Sequence, residues 1–288
     1  MSATQLPIHL SKHREGHRPL PYLFFMIVFA GFTPHSPLLL EEINPQRLKD
    51  VEKTRSAMQE LSEELYASHP DTIILISEHP TTYDDTFSLY LDDPFSFDLS
   101  EFGSFDFDLS FRPSIAIIDR LQRHLRQQGQ PVTLETEAAL HYASAVPLKL
   151  LTNELKNVRL VSIGISRLGA KEHFAFGQAI KDTLMMTGER VALIASGDLA
   201  HALASDGPVP LHPDGKRYDE KIQEIVSQNS PAGLLAMDQP MIENAQETSY
   251  LPLCILYGAL ERVSLTPKIL SYEAPFGVGY LVSHLLPS

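Results

Sequence analysis

The sequence predicts a single α/β domain in which a central, mostly parallel or mixed sheet is flanked by helices on both faces. Along residues 26–288, short runs rich in Val, Ile and Leu alternate with longer stretches whose apolar residues recur at helical spacing. Continuously apolar short runs are typical of strands buried on both faces, and their alternation with helices is typical of parallel sheets. Neither a linker rich in Gly, Ser or Pro nor an internal repeat interrupts this range, which favours one domain.

The predicted strands are short apolar segments that end at Gly, Pro or small polar residues. The first is a run of bulky residues between Met26 and Pro34, and the second reads TIILIS. In chain order, strands are predicted at residues 27–31, 72–77, 131–135, 158–165, 191–196, 267–272 and 277–283.

The predicted helices are stretches with one apolar face. In the first of them Leu48, Met58 and Leu65 recur at helical spacing, and Asn44 before Pro45 is a suitable cap with proline in the first turn. In chain order, helices are predicted at residues 45–69, 114–128, 145–155, 170–186, 215–227 and 244–262.

The N-terminal residues differ in composition from the rest of the chain. Residues 1–21 are polar, basic in balance and rich in His, Pro and Ser, and an apolar run over residues 22–32 follows. This order resembles a signal peptide, but the apolar run is too short to span a membrane and no small-residue cleavage site follows it. We therefore predict a disordered extension over residues 1–25 and one folded domain over residues 26–288, with Met26 as a candidate natural start.

The composition limits the classes of partner. A net charge of -13 argues against nucleic acid and anionic membranes, because both favour basic surfaces. The single cysteine, Cys254, excludes an internal disulfide and a cysteine-rich zinc site, which fits a cytoplasmic protein. A homo-oligomer would be in keeping with enzymes of this size, although no motif indicates one.

One segment breaks the alternation of strands and helices. Residues 83–111 combine acidic and aromatic residues without a clear helical or strand pattern over most of their length. Long loops of this kind are often lids or binding surfaces, and the many Phe residues argue against simple disorder. Alternation near its end also permits a peripheral, exposed hairpin, so a lid or interface and a hairpin remain alternative predictions.

Three histidines and one glutamate stand at the ends of apolar runs and are the most informative residues. They are His35 in TPHSP, His79 in ISEHP, His201 in SGDLAH and Glu247 in AQETSY. The carboxyl ends of strands are where open α/β sheets place functional groups. Two neutral imidazoles and one carboxylate form the set that holds Fe(II) with open coordination positions, and a further histidine can transfer protons.

Several neighbouring residues are alternatives to this set. Glu78 and Glu243 compete with Glu247 for the role of the carboxylate, although Glu78 would point away from its neighbour His79 on an extended chain. His141 is a candidate for contact with a metal ligand or with substrate, and a helix-cap or core histidine is the alternative. A Ser-His-Asp hydrolase is conceivable around Ser196, but this serine lacks the G-x-S-x-G surroundings of a nucleophile elbow.

From residue 26 to near the C-terminus, the chain resembles the class III extradiol ring-cleavage dioxygenase superfamily. The motifs that carry this resemblance are TPHSPLLL, ISEHP, LHYASAVPLKLL, ASGDLAH, HPDGKRYDEKI and AQETSYLPLCILYGAL, in this order. The resemblance implies that His35, His79 and Glu247 bind Fe(II), that His201 is the catalytic acid and base, and that His141 is a second active-site histidine. It also implies a small aromatic diol and O2 as substrates.

Two other functions remain open. The superfamily includes Memo-like proteins, which share the fold without clear ring-cleavage activity, and such a protein would bind a metal and act through a protein partner. Some Memo-like proteins have cysteine where the dioxygenases have glutamate, so Glu247 favours iron chemistry. The same ligands would also suit Zn in a hydrolase.

Overall fold

The computed structural model describes residues 26–105, 107–130, 132–137 and 139–287, so the predicted disordered extension over residues 1–25 lies outside the described residues. Nine strands form one sheet within these ranges. They are β1 (Ile27–Thr33), β2 (Thr72–Ser77), β3 (Phe87–Tyr90), β4 (Arg112–Pro113), β5 (Val132–Glu135), β6 (Arg159–Gly164), β7 (Val191–Ser196), β8 (Leu265–Glu273) and β9 (Tyr280–Pro287).

The sheet is mixed, with a parallel centre. Its strands lie in the order β5-β3-β6-β2-β7-β1-β9-β8, and β4 pairs with β6. The central strands β6, β2, β7 and β1 are parallel to one another. β3 runs antiparallel to β6, and β9 runs antiparallel to β1 and β8. This arrangement confirms the predicted fold class.

Helices cover both faces of the sheet, as the sequence predicts. Side chains on β2 alternate between the two faces: Ile74 and Ile76 belong to one buried cluster, and Ile73 and Leu75 belong to the other. The described helices are α1 (Glu52–Ala67), α2 (Ile115–Gln127), α3 (Tyr142–Leu151), α4 (Ala170–Leu184), α5 (Pro213–Gln228), α6 (Pro231–Leu235), α7 (Gln239–Ala245) and α8 (Tyr250–Ala259).

Two glycines bring α4 and α8 into close contact. A Cβ atom on Gly177 would lie 2.0 Å from the carbonyl oxygen of Ile255, and one on Gly258 would lie 2.0 Å from that of Phe174. The two backbones can approach only because neither position carries a side chain. This contact packs the second half of α8 directly against α4.

The structure corrects several predicted elements. Residues 244–262 do not form one helix, because α7 ends before Gln246, whose φ of 55° is incompatible with a continuing helix, and α8 starts at Tyr250. The first long helix begins at Glu52 rather than at residue 45, after a short 3-10 turn. His173, on α4, is completely buried.

Residues 83–111 contain a strand that the sequence analysis missed. β3 lies inside the sheet and all four of its residues are buried, so this part is not an exposed hairpin. The chain then returns through an antiparallel contact between Phe95 and Phe111, both of which are buried. In the part of the chain that the structure describes, no helix has the length and apolar character needed to cross a membrane.

Candidate active site

The carboxyl ends of the four central parallel strands meet at one edge of the sheet. β1 ends at Thr33, β2 at Ser77 and β7 at Ser196. Thr33 is paired with Ser196, and the residues just before the ends of β2 and β7, Ile76 and Ala195, are paired with each other. The predicted site residues His35, His79 and His201 follow these three ends within a few residues. The topology therefore explains why residues far apart in sequence reach one region.

His35 is held by the last residue of β7 and by a residue of the segment that follows it. Its backbone N–H donates to Asp198 Oδ1 at 2.9 Å, and its Nδ1 lies 3.2 Å from Ser196 Oγ. Because Ser196 Oγ donates its proton to the carbonyl of Ala143, it can accept one from His35 Nδ1. The network thus places the proton on Nδ1, so Nε2 carries the lone pair. The Nε2 atom lies 3.3 Å from Thr248 Oγ1.

His79 is buried beside β2, with its ring stacked on Tyr90 at 4.2 Å between centroids. Its Nε2 contacts the hydroxyls of Ser77, Ser144 and Ser162. Its Nδ1 is buried and has no hydrogen-bond partner within the described ranges. A buried imidazole nitrogen without a partner is an available ligand for a metal or a substrate.

Burial keeps three of these imidazoles neutral. It lowers the pKa of His35 to about 4 and, together with the neighbouring His141, the pKa of His79 to about 3. Burial and the proximity of His35 lower the pKa of His141 to about 4. Metal ligation requires neutral imidazole, so these side chains need not lose a proton before binding an ion near pH 7.

His141 lies directly before α3, in contact with the aromatic residue that follows it. The rings of His141 and Tyr142 are 4.0 Å apart, and Tyr142 also contacts His35 at 5.8 Å between centroids. Phe102, from the segment over residues 83–111, packs edge-on against Tyr142 at 5.1 Å. That segment therefore supports one wall of the site, although its role as a lid or docking surface stays a prediction.

Glu247 lies in the loop between α7 and α8 and caps α8. Its Oε2 accepts hydrogen bonds from the backbone N–H groups of Ser249 and Tyr250, both at 2.6 Å. The hydroxyls of Ser249 and Tyr218 donate to the same oxygen. None of these four bonds involves Oε1, so one oxygen is anchored while the other is left for a ligand.

Replacing Glu247 with alanine should therefore lower stability even in the metal-free protein. The change removes an acceptor from four donors, and we expect a loss of about 1–3 kcal/mol in the free energy of unfolding. Urea denaturation in the presence of a chelator measures it. Glu243→Ala is the matched control, because Glu243 is exposed and bonds only to nearby residues of its own helix and the following turn. Equal stability of the two variants would contradict the capping role.

The loop that contains Glu247 is bound tightly to the end of β7. A Cβ atom on Gly197 would lie 2.5 Å from the Cα of Ser249, so only glycine permits this approach. The backbone N–H of Asp198 donates to Thr248 Oγ1 at 2.9 Å, and the N–H of Thr248 donates back to the carbonyl of Asp198 at 3.1 Å. These contacts place Glu247 beside the segment that bears His201.

His201 is half-buried, and its backbone N–H donates to the carbonyl of Ala245 at 2.9 Å. Its Nδ1 is buried and unpaired among the residues described here, as is that of His141. The charge of His201 interacts with that of Asp198, whose pKa burial raises to about 6. The three strand-end histidines, His141 and Glu247 thus lie at the same edge of the sheet, and their individual roles stay predictions.

A buried carboxyl on α5 supports the segment before His201. Asp219 accepts hydrogen bonds from the backbone N–H of Ala200 at 2.8 Å and from the hydroxyl of Tyr272 at 2.7 Å. Burial raises its pKa to about 7, despite the opposing effect of these bonds. The folded protein therefore takes up a proton at Asp219 as the pH falls through about 7, whereas the unfolded chain does not.

This difference predicts a pH dependence that belongs to Asp219. Because the folded state binds the extra proton, the group makes folding more favourable at pH 6 than at pH 8, by about 1 kcal/mol. Asp219→Asn should remove this contribution. The free-energy difference between wild type and variant, measured by urea unfolding, should thus grow in favour of wild type by about 1 kcal/mol from pH 8 to pH 6. A free-energy difference that stays the same at pH 8 and pH 6 would contradict this prediction. The buried histidines do not change the difference, because both proteins contain them.

Buried acidic groups collect at the same edge of the sheet. Burial raises the pKa of Glu78, and the charges of Glu247 and Asp198 raise it further. Burial likewise raises the pKa of Glu247, against the hydrogen bonds that lower it. Carboxylates that repel one another in a poorly solvated region are stabilised by a cation between them.

Two neighbouring cavities open beside these residues. One of about 570 Å³ is lined by Glu78, His79, His141 and Tyr142, with Ile165 and Leu251 as apolar contacts. The other, of about 780 Å³, is lined by residues that include Glu247 and Thr248. Arg167 and Leu251 line both cavities, so the two lie side by side. Either is large enough for a small aromatic molecule.

The donors suit a divalent metal in type and protonation. Neutral imidazoles, with the Nδ1 of His79 unpaired, and a carboxylate with one oxygen outside its four hydrogen bonds are suitable ligands for Fe(II) or Zn(II). Over the residues that the structure describes, however, no three His, Cys, Asp or Glu side chains are grouped closely enough to hold an ion. The residues therefore match a metal in chemistry, while the arrangement described does not by itself complete a coordination sphere.

Sequence analysis missed the hydroxyl groups that hold the histidines. Ser77 and Ser196 end their strands, but a terminal serine has no pattern that distinguishes this role. Ser144 and Ser162 lie within otherwise apolar segments and are buried. A lone serine in such a segment was the sequence feature that could have indicated a hydrogen-bonding role. Thr248, next to the predicted Glu247, approaches His35 Nε2 more closely than any described carboxylate oxygen does.

Comparisons with known proteins place these features in context. The family model described as the catalytic LigB subunit of aromatic ring-opening dioxygenase matches residues 29–283. A protein of Clostridium acetobutylicum is 26% identical over 261 residues, which cover 88% of this chain and 56% of that protein. The chain thus spans little more than half the length of this curated relative.

The fold has a counterpart among solved structures. The crystal structure of an uncharacterized protein from Escherichia coli K12 matches with a TM-score of 0.60 and 20% sequence identity. The match covers 89% of this chain and 99% of that one. At this level of identity the likeness shows a shared fold.

Proposed function

This chain belongs to the family of the catalytic LigB subunit of aromatic ring-opening dioxygenases, and from this premise we propose that it is a non-heme Fe(II)-dependent extradiol dioxygenase. Its substrates would be a catechol-type aromatic diol and O2. Enzymes of this family typically bind a metal ion. The observation that carries the proposal is that neutral, buried histidines and carboxyl groups with raised pKa values lie at one edge of the sheet, beside two adjoining cavities.

In this proposal His35, His79 and Glu247 hold the iron. The lone pair of His35 Nε2, the unpaired Nδ1 of His79 and the unanchored Oε1 of Glu247 are the donor atoms. When bound, Fe(II) would supply Lewis-acid binding of both diol oxygens and electron transfer to O2. The serine hydroxyls, Asp198 and the α8 cap orient these ligands from outside.

The remaining residues of the site bind the diol and move its protons. Ile165 and Leu251 offer apolar contact to an aromatic ring in the smaller cavity. His201 would take a phenolic proton from the diol and return a proton to the product, as general base and then general acid. His141, whose low pKa keeps it neutral, would hold a substrate oxygen by a hydrogen bond.

Reconstitution with Fe(II) under anaerobic conditions tests this function. A panel of catechols is then added with O2, and O2 uptake is followed together with the absorbance of the ring-opened product. We expect uptake that depends on both Fe(II) and a diol, and the Zn(II)-loaded protein and the His35→Gln/His79→Gln double variant serve as controls. Protein that carries iron and consumes no O2 with any diol would contradict the proposal.

One observation favours a second function, that of a Memo-like metal-binding protein that acts through a protein partner. Glu247 already has a structural role as the cap of α8, and this role needs no metal. This alternative predicts metal binding without turnover of any diol, and a partner that docks on residues 83–111. Affinity purification with the wild type and with Phe105→Ser, which replaces an exposed aromatic side chain of that segment, tests it: unchanged capture of the same partner would remove the docking role.

A further inference from the structure

Three buried serine hydroxyls surround a single nitrogen of His79. Nε2 lies 3.2 Å from Ser77 Oγ, 3.3 Å from Ser162 Oγ and 3.4 Å from Ser144 Oγ. Ser77 and Ser144 are also hydrogen-bonded to each other at 2.8 Å. We call Ser77, Ser144 and Ser162 the serine cage. They come from β2, α3 and β6, so the fold assembles the cage from three separate elements.

The cage is placed where hydroxyl groups are costly. All three serines are completely buried, and Ser162 stands between the buried Val161 and Ile163 on a central strand. A hydroxyl moved from water to such a site without a partner costs about 1–3 kcal/mol, whereas alanine would carry no such cost. Among the described residues, the ring that contacts all three hydroxyls is that of His79, so the cage acts on this imidazole.

The proton on His79 has two positions, and the surroundings distinguish them. With the proton on Nε2, the ring donates to the oxygen atoms of the cage, each of which has lone pairs to accept it. With the proton on Nδ1, a buried N–H donor would have no acceptor among the described residues. An unsatisfied buried donor is strongly unfavourable, so the first tautomer is preferred.

We propose that the serine cage fixes His79 in the tautomer protonated on Nε2 and so keeps the lone pair of Nδ1 free for a ligand. Ser196 acts in the opposite sense on His35, where it accepts the proton from Nδ1 and frees Nε2. The cage residues are positioning residues, because they act on the ligand through His79. The identity of that ligand as a metal rests on the proposed function, whereas the tautomer does not.

The tautomer can be read directly in the metal-free wild-type protein. Nitrogen-15 chemical shifts of histidine distinguish a protonated ring nitrogen from one with a lone pair, and His79→Gln identifies the signal by its loss. We expect protonated Nε2 and unprotonated Nδ1 across pH 6–8. A His79 signal with the proton on Nδ1 would overturn the proposal without any variant of the cage.

The variant that removes the cage is S77A/S144A/S162A. We expect a mixture of His79 tautomers and a fall of about 10- to 100-fold in Zn(II) affinity, measured by competition with a chromophoric chelator. The matched control is S114A/S271A/S283A, which removes three hydroxyls that are buried and have no hydrogen-bond partner in the described ranges. The control should keep both the wild-type tautomer and the wild-type affinity.

Two further comparisons keep the outcome decisive. If the triple alanine variant does not fold, the double variant S77A/S162A keeps one serine of the cage and should shift the tautomer and the Zn(II) affinity in the same direction by a smaller amount. A cage variant with the wild-type tautomer and affinity would overturn the proposal. A wild-type protein with the expected tautomer but no affinity for Zn(II) or Fe(II) would support the cage and contradict the proposed function, so the two failures are distinct.

Discussion

His79→Gln is expected to lower the affinity for Fe(II) or Zn(II) by at least about 100-fold while the protein remains folded. His79 offers a buried, neutral nitrogen without a partner, and this is the strongest single indication of a ligand in the described structure. Glutamine can still contact the serine hydroxyls through its amide, which limits the loss of stability. Metal titration of the purified apoprotein gives the affinity, and circular dichroism with thermal unfolding gives the fold.

A second buried histidine provides the control for that experiment. His173 is also completely buried, but both ring nitrogens are occupied, Nδ1 with the carbonyl of Gly169 and Nε2 with the N–H of Ser166. His173→Gln should therefore reduce thermal stability and leave metal affinity unchanged. If His79→Gln binds metal as well as wild type does, His79 is not a ligand and the predicted set of two histidines and one carboxylate is wrong.

His201→Gln is expected to retain the metal and to lose turnover by about 10²- to 10⁴-fold, the usual contribution of a general acid or base. His201 follows β7 and is half-buried, with one unpaired ring nitrogen. Histidine exchanges a proton near neutral pH, whereas glutamine keeps similar hydrogen bonding without this ability. Steady-state rates with the best diol, together with metal content, separate the two effects.

The comparison for His201 is a histidine nearby in sequence that has a structural task. His212 accepts a hydrogen bond from the N–H of Asp214 and caps α5. His212→Gln should thus change stability slightly and leave turnover intact. A His201 variant that loses metal to the same extent as His79→Gln would show that ligand and proton-transfer roles are divided incorrectly.

The identity of the bound metal affects how these predictions are measured. Zn(II) competes for sites built from histidine and carboxylate and generally binds more tightly than Fe(II), so purification without oxygen and without added zinc is needed before activity is measured.

The chain spans 56% of the length of its Clostridium acetobutylicum relative. An activity of that whole protein is therefore a proposal for this chain and not an established property.

The arrangement of strands could be predicted largely from sequence, because strands buried on both faces are marked by continuous apolar runs. TIILIS and VALIAS became β2 and β7 with the predicted limits. β3 was missed, because its four residues lie within an acidic and aromatic segment. Their burial results from packing in the folded sheet and is not marked by a continuous apolar run in the sequence. The break between α7 and α8 was also missed, because a left-handed Gln246 has no sequence signature as clear as glycine.

The sequence by itself determined which groups stand at strand ends: three histidines, and a glutamate before an apolar helix, each marked by local pattern alone. Only the tertiary structure decided what these groups meet. The parallel register of β1, β7, β2 and β6 brings their carboxyl ends to one edge, and the close approach at Gly197 adds the loop of Glu247. Proton positions on His35 and His79 follow from serines distant in sequence, because hydrogen bonds depend on separation in space and not on order along the chain.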